Sequence, residues 1–138
     1  MEPRDLKFED IKIDDEASFT HIVSKKDTQD FIKLSGDKNP LHVDLNYARK
    51  NRFGKRIVHG MFLGALCSRL LGMYLPGKRC LYLSQYLQFR GPAFIGDKLL
   101  ISGKVIAKST ATKILDIMIY IKCRDKILTE GLAKVQVL

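Results

Sequence analysis

Tryptophan is absent from this 138-residue chain, and histidine, cysteine and proline are scarce, at three, three and four residues. The cysteines, Cys67, Cys80 and Cys123, are odd in number and form no CxxC pair. Neither a disulfide framework nor a zinc site follows from such a set, and it fits a reducing, cytoplasmic setting. No apolar run reaches the ~20 residues that a membrane helix needs. The longest lies within residues 57–75 and is broken by Arg69 and several glycines. The opening Met-Glu-Pro-Arg-Asp-Leu is acidic and lacks an apolar centre, so it reads as neither a signal nor a transit peptide. Acidic residues are also in deficit, 15 against 24 Lys and Arg, leaving a net charge of +9. Nucleic acid is not the expected partner, because the basic residues are dispersed and no RNA-binding aromatic motif or helix-turn-helix signature accompanies them. The surplus suits solubility, or the steering of a small polyphosphorylated ligand.

What is present is enough for one domain, residues 1–138, with a core that needs no covalent staples. Residues 1–15 are mixed in charge and read as a loosely held lead-in. Ser18 to Val23 alternates like a short strand. A helix is expected over Ser24–Ser35, with Ser24 as N-cap, Asp27 in the first turn and Phe31, Ile32 and Leu34 as its apolar side. Gly36 to Pro40 breaks it, and a helical turn is expected near Asn46–Lys50.

His59 to Leu75 forms the longest helical pattern. It is apolar nearly all round, so burial on all sides is expected. Gly60, Gly64, Ser68 and Gly72 recur along one ridge, which suits tight packing of Gly64 and Gly72 on a sheet. Pro76-Gly77 ends the helix. Four β-rich runs follow: Cys80–Arg90, Lys98–Ala107, Thr112–Cys123 and Ile127–Val137, the last three joined by turns short enough for hairpins. Strand, helices, then four strands indicates an α+β fold, with an antiparallel sheet curled around one buried helix.

The chemistry-bearing block is Phe31-Ile-Lys-Leu-Ser-Gly-Asp-Lys-Asn-Pro-Leu-His42. In an ideal helix Asp37 and His42 would point about 140° apart. Pro40 and the Asx-turn former Asn39 allow the chain to turn so that the two side chains converge. A carboxylate and an imidazole sharing one water can add it across a polarised double bond. The N–H of Gly60, opening the apolar helix, can polarise the substrate carbonyl. Taken singly these residues have simpler uses. Asp37 suits a turn, His42 a satisfied core histidine, His59 a helix cap and Asp44 a capping acid. Ser68 can bond back to its own helix, and His21 reads as structural.

The pattern Phe31-x-x-Leu34-Ser-Gly-Asp37-x-Asn39-Pro40-Leu41-His42, followed by Ala48, resembles the hydratase 2 motif of the MaoC-like family, whose members include (R)-specific enoyl-CoA hydratases. Ile57-Val-His-Gly-Met61, Leu66-Cys-Ser68-Arg-Leu-Leu-Gly72, Tyr82-Leu-Ser-Gln85-x-Leu87-x-Phe89 and Pro92-x-x-x-Gly96-Asp97 extend the likeness over essentially the whole chain. The resemblance implies a hot-dog fold, an antiparallel sheet wrapped around a long central helix, assembled as a homodimer. It implies Asp37 and His42 as the catalytic dyad, Gly60 as oxyanion donor and Ser68 as a substrate-binding residue. The reaction implied is reversible syn hydration of a trans-2-enoyl thioester to the (R)-3-hydroxyacyl thioester, without metal or redox cofactor. The carrier would be CoA or an acyl carrier protein. A 3-hydroxyacyl-ACP dehydratase and a non-catalytic acyl-thioester binding module remain as alternatives, and a hot-dog thioesterase fits the Asn-Pro-Leu-His context less well.

Overall fold

Alternating Leu99, Ile101, Val105 on one strand and Leu115, Ile117, Ile119, Ile121 on the next are almost wholly buried. Residues two apart share a face of a strand, so these side chains pave one side of a sheet. In the computed structural model, which describes residues 1–138, that sheet has five strands: β1 (Glu16–Ile22), β2 (Cys80–Phe89), β3 (Lys98–Ser109), β4 (Ile114–Cys123) and β5 (Lys126–Val137). Their order is β1-β3-β4-β5-β2, and every pairing is antiparallel. Both hairpins expected after residue 98 form. Four helices, α1 (Lys25–Ser35), α2 (Pro40–Val43), α3 (Leu45–Arg49) and α4 (Gly60–Met73), lie between β1 and β2. The inner face of α4, with Phe62, Leu63, Leu66, Cys67, Leu70 and Leu71, joins the paved sheet in one core. This is the hot-dog arrangement.

Several local expectations hold for the expected reason. Ser24 caps α1 and forms a reciprocal capping box with Asp27. Gly36 ends that helix in the left-handed region, at φ 73°. Others need correction. Leu34 does not serve the apolar side of α1; it is 85% exposed. The lead-in is packed, not loose. Phe8 and Ile11 are buried, and Lys108 on β3 donates to the carbonyls of both. Pro40 opens a helix as well as ending the break, because its missing N–H costs nothing in a first turn.

Two corrections bear on function. The central helix is not buried on all sides: Met61 is 61% exposed, and Ala65, Ser68 and Arg69 beside it are open. Gly64 packs on β2 as expected, since an added Cβ would meet Leu87 at 3.2 Å, whereas Gly72 faces open space. Strand β2 also loses its simple alternation. A bulge between Tyr82 and Ser84 shifts the register, leaving Leu81 and Leu83 exposed and turning Leu87 inward. An extra residue advances the side-chain phase by one, so leucines that appear to share a face do not.

Candidate active site

The segment Ser35–His42 is shaped by its own side chains. Ser35 Oγ accepts from the Asp37 N–H at 3.1 Å, Asp37 Oδ1 from the Asn39 N–H at 3.0 Å, and Asn39 Oδ1 from the Leu41 N–H at 3.0 Å. Each is a short polar side chain satisfying a backbone donor two residues on, the bonding that makes Asp and Asn good turn residues. The last of them caps α2, which carries His42 in its final turn.

His42 is fixed from the next segment. Its Nδ1 lies 2.8 Å from the Ile57 carbonyl. A carbonyl only accepts, so Nδ1 carries the hydrogen and Nε2 keeps a free lone pair. Ile57 is itself tied back by its N–H to Leu41 O at 3.3 Å, and Val58 N–H donates to Ala93 O at 2.8 Å. These bonds place Ile57 and Val58 between α2 and the chain beyond β2, and deliver His59 and Gly60 to the same spot.

His59 does not cap α4. It occupies the N-cap position, but its side chain makes no capping bond. Instead Nε2–H donates to the Asp37 carbonyl at 3.1 Å and lies 3.9 Å from Asp37 Oδ2. Its ring stacks on His42 with centroids 3.8 Å apart and planes 27° apart, and the Phe31 ring packs against it, tilted by 52°, at 4.9 Å. The residue is 2% exposed and its Nδ1 has no partner. Burial holds its pKa below the ordinary histidine value, and the neighbouring His42 pushes the same way. Burial thus favours the neutral ring, against the opposing pull of Asp37.

Asp37, His42 and His59 each offer an atom within 4.8 Å of the other two. The set does not suit a metal ion. Ring lone pairs lie in the ring planes, and two nearly parallel stacked imidazoles cannot aim theirs at one point. Nδ1 of His42 and Nε2 of His59 are already committed as donors. Two nearby acceptors can hold a water, and the carboxylate is 49% exposed to receive one.

His42 and Gly60 line one cavity of about 300 Å³, together with Ile57, Leu63, Phe89, Arg52 and Arg90. As the first residue of α4, Gly60 presents an N–H with no intrahelical acceptor, at the positive end of the helix dipole. An added Cβ at Gly60 would sit 3.1 Å from the Phe89 ring, so that ring would have to give way to any side chain here. Ser68 is two turns further along α4, about 12 Å of helical rise. It is exposed and lies outside this cavity. The structure thus puts His42 in one cavity with Gly60, sets Asp37 beside His42 but outside that cavity's lining, and leaves Ser68 apart on the open stripe. His21 is bonded to Asp27 at 2.9 Å, as a structural residue would be. Asp44 caps α3 through the N–H groups of Asn46 and Tyr47.

A sheet wrapped on one helix, with a carboxylate and an imidazole at the helix N-terminus, is the arrangement of the hot-dog hydratase and dehydratase class. The MaoC like domain profile matches residues 7–121, and the chain belongs to that family. It is 36% identical over 130 residues to the (R)-specific enoyl-CoA hydratase of Rhodospirillum rubrum, covering 94% of this chain and 90% of that protein. It is 40% identical over 96 residues to a 3-hydroxybutyryl-CoA dehydratase of Methylorubrum extorquens, covering 70% of this chain but only 61% of that protein. Among solved structures, the unliganded R-hydratase from Pseudomonas aeruginosa superimposes with a TM-score of 0.92 at 30% identity, over 98% of this chain and 87% of that one. The (R)-hydratase of A. caviae gives 0.89 at 33% identity, over 93% and 98%. No helix of this protein is long and apolar enough to cross a membrane.

Proposed function

We propose that this protein is a hydro-lyase that reversibly hydrates a trans-2-enoyl thioester to the (R)-3-hydroxyacyl thioester. The observation that carries the reading is the His42 tautomer. With Nδ1–H given to Ile57 O, Nε2 is the ring nitrogen left free to move a proton, on an imidazole grouped with Asp37 and lining one cavity with Gly60. In hydration, Asp37 and His42 hold one water. Its oxygen bonds to C3, and one of its protons passes through Nε2 to C2. The other stays on the new hydroxyl, toward Asp37. The double bond is consumed, and nothing is oxidised or reduced. The thioester oxygen, which gathers charge as C3 is attacked, accepts from Gly60 N–H. No step calls for a metal or redox cofactor.

The (R) outcome and the CoA carrier are supported by the names of the relatives above. A carrier-protein substrate is the second reading. It is favoured by the +9 charge and by 39% identity over 90 residues to a mitochondrial 3-hydroxyacyl-[acyl-carrier-protein] dehydratase of Arabidopsis thaliana, 53% of whose length is covered. The three cysteines are free, which suits a reducing compartment such as the cytoplasm.

A homodimer is part of the proposal. Strand β2 is a sheet edge that exposes Leu81, Leu83 and Tyr86, and the open stripe of α4 adjoins it where Gly64 meets Leu87. A long apolar edge of this kind is an invitation to pair, and a second copy related by a two-fold axis covers edge and stripe at once. Ser68 reaches a substrate only in such an assembly.

The test is loss of enoyl absorbance with crotonyl-CoA, with the product resolved by chirality. Asp37→Asn and His42→Ala should each abolish most of the turnover. Wild-type rates in both would sink the dyad, and free-thiol release without hydration would make the protein a thioesterase. Comparing kcat/KM on CoA and carrier-protein thioesters separates the two carriers.

A further inference from the structure

We propose that His59 is the positioning residue of this site, holding the Asp37 loop and the His42 ring at their working separation while touching no substrate. The proposal rests on the hydratase reading of Asp37 and His42. One ring makes both connections: Nε2–H to the Asp37 carbonyl at 3.1 Å, and a face-to-face stack on His42 at 3.8 Å. Phe31 also packs against this ring, tilted by 52° with centroids 4.9 Å apart. The ring is not among the residues that line the cavity shared by His42 and Gly60.

Simpler uses of this residue fail on the same geometry. As a helix cap it makes no capping bond. As a core filler it is poorly chosen. It is 2% exposed with an unpartnered Nδ1, and a buried acceptor without a donor is a cost that phenylalanine, packing on the same two rings, would not carry. What phenylalanine cannot supply is the hydrogen bond to the Asp37 backbone. The local Asx bonds set the shape of residues 35–41, and the bond from His42 N–H to Asn39 O ties His42 to that turn. The contact from His59, 22 residues further on, adds a hold on the Asp37 end of the loop from outside it. A misplacement of about 1 Å in such a pair can cost ~10²-fold in rate.

The experiment compares His59→Phe, which keeps the stack and removes the donor, with His59→Gln, which keeps a donor and loses the stack. Turnover of crotonyl-CoA, thermal stability and amide hydrogen exchange at residues 36–42 are measured on each. In His59→Phe, kcat should fall about 10- to 100-fold with KM within about twofold. Stability should be unchanged or raised, and exchange at residues 36–42 should be faster. His59→Gln should recover part of the exchange protection and part of kcat. A well-folded His59→Phe with wild-type kcat overturns the proposal, and so does a kcat loss that merely tracks a loss of stability. The exchange readout does not depend on the reaction. If the wild type turns over no enoyl thioester, the hydratase reading fails, and unaltered loop exchange in His59→Phe then overturns the positioning role separately.

Discussion

Strands β3 to β5 and the segment from Gly36 to Gly60 differ in what holds them. The strands contribute to a cluster of 25 buried apolar residues and are knit by long antiparallel ladders, each with a single register shift. Helices α1 and α2, which flank Asp37, bury no residue at all. Their shape comes from caps, Asx bonds and two histidine–carbonyl contacts. Apolar burial is non-directional and adds up over area. Hydrogen bonds contribute about 1 kcal/mol each but fix direction. The first region supplies stability and the second supplies aim, so substitutions in the two should damage different observables.

The sharpest way to break that comparison is at the dyad. Asp37→Asn and His42→Ala should lower kcat about 10²- to 10⁴-fold, with a melting temperature close to wild type. A collapse in melting temperature would show that the loop also carries stability. Next is Leu70→Ala in the core. Leu70 is fully buried, so urea unfolding should show a loss of about 2–5 kcal/mol, with kcat per folded molecule unchanged.

The pH dependence of stability probes His59, the buried histidine that ties the Asp37 loop to the start of α4. Burial depresses the His59 pKa in the fold, so between that value and the ordinary 6.5 the unfolded chain binds the extra proton. The contribution of His59 is therefore fully present above about pH 6.5 and declines as pH falls below it. Melting temperatures across pH 5–8 should drop less steeply on the acid side in His59→Phe than in wild type. The smallest effect belongs to Ser24→Ala, which removes the capping box of α1. It should cost about 1 kcal/mol and leave kcat untouched, because α1 supplies no group to the chemistry.

Much of this was readable from the residues, because the signals are local. The Ser24–Asp27 box, the Gly36 stop and the Asp37–Asn39 turn each depend on neighbours within a few positions, and each formed as expected. Alternation was enough for most of β3 to β5, whose inner faces are buried up to the register shifts that leave Ala107 exposed and Cys123 half-buried. Reading failed where the deciding contact is distant. His59 looks like a helix cap until Asp37 and His42, far off in the chain, are brought against it. The apolar girth of α4 implied burial on all sides, but a stripe of small residues and Met61 is left open in the single chain. Residue composition cannot say whether an apolar face will meet its own sheet or another molecule. The β2 bulge escaped for a related reason: leucines at both Leu81 and Leu83 preserve an apparent alternation through the register shift.

The three linked turn bonds between Ser35 and Leu41 have a consequence for portability. The peptide carrying Asp37 and His42 encodes its own bend, so it is a module that protein engineering could move to another scaffold. Moved alone, it would keep its bend and lose its calibration. The imidazole tautomer is set by the Ile57 carbonyl, and the carboxylate loop is held by His59, both supplied by the approach to α4. A working transplant would have to carry Ile57–Gly60 and a helix to follow it. The smallest transferable unit of this site is thus two crossing segments, and a design built from the motif alone should fold its turn correctly and remain inert.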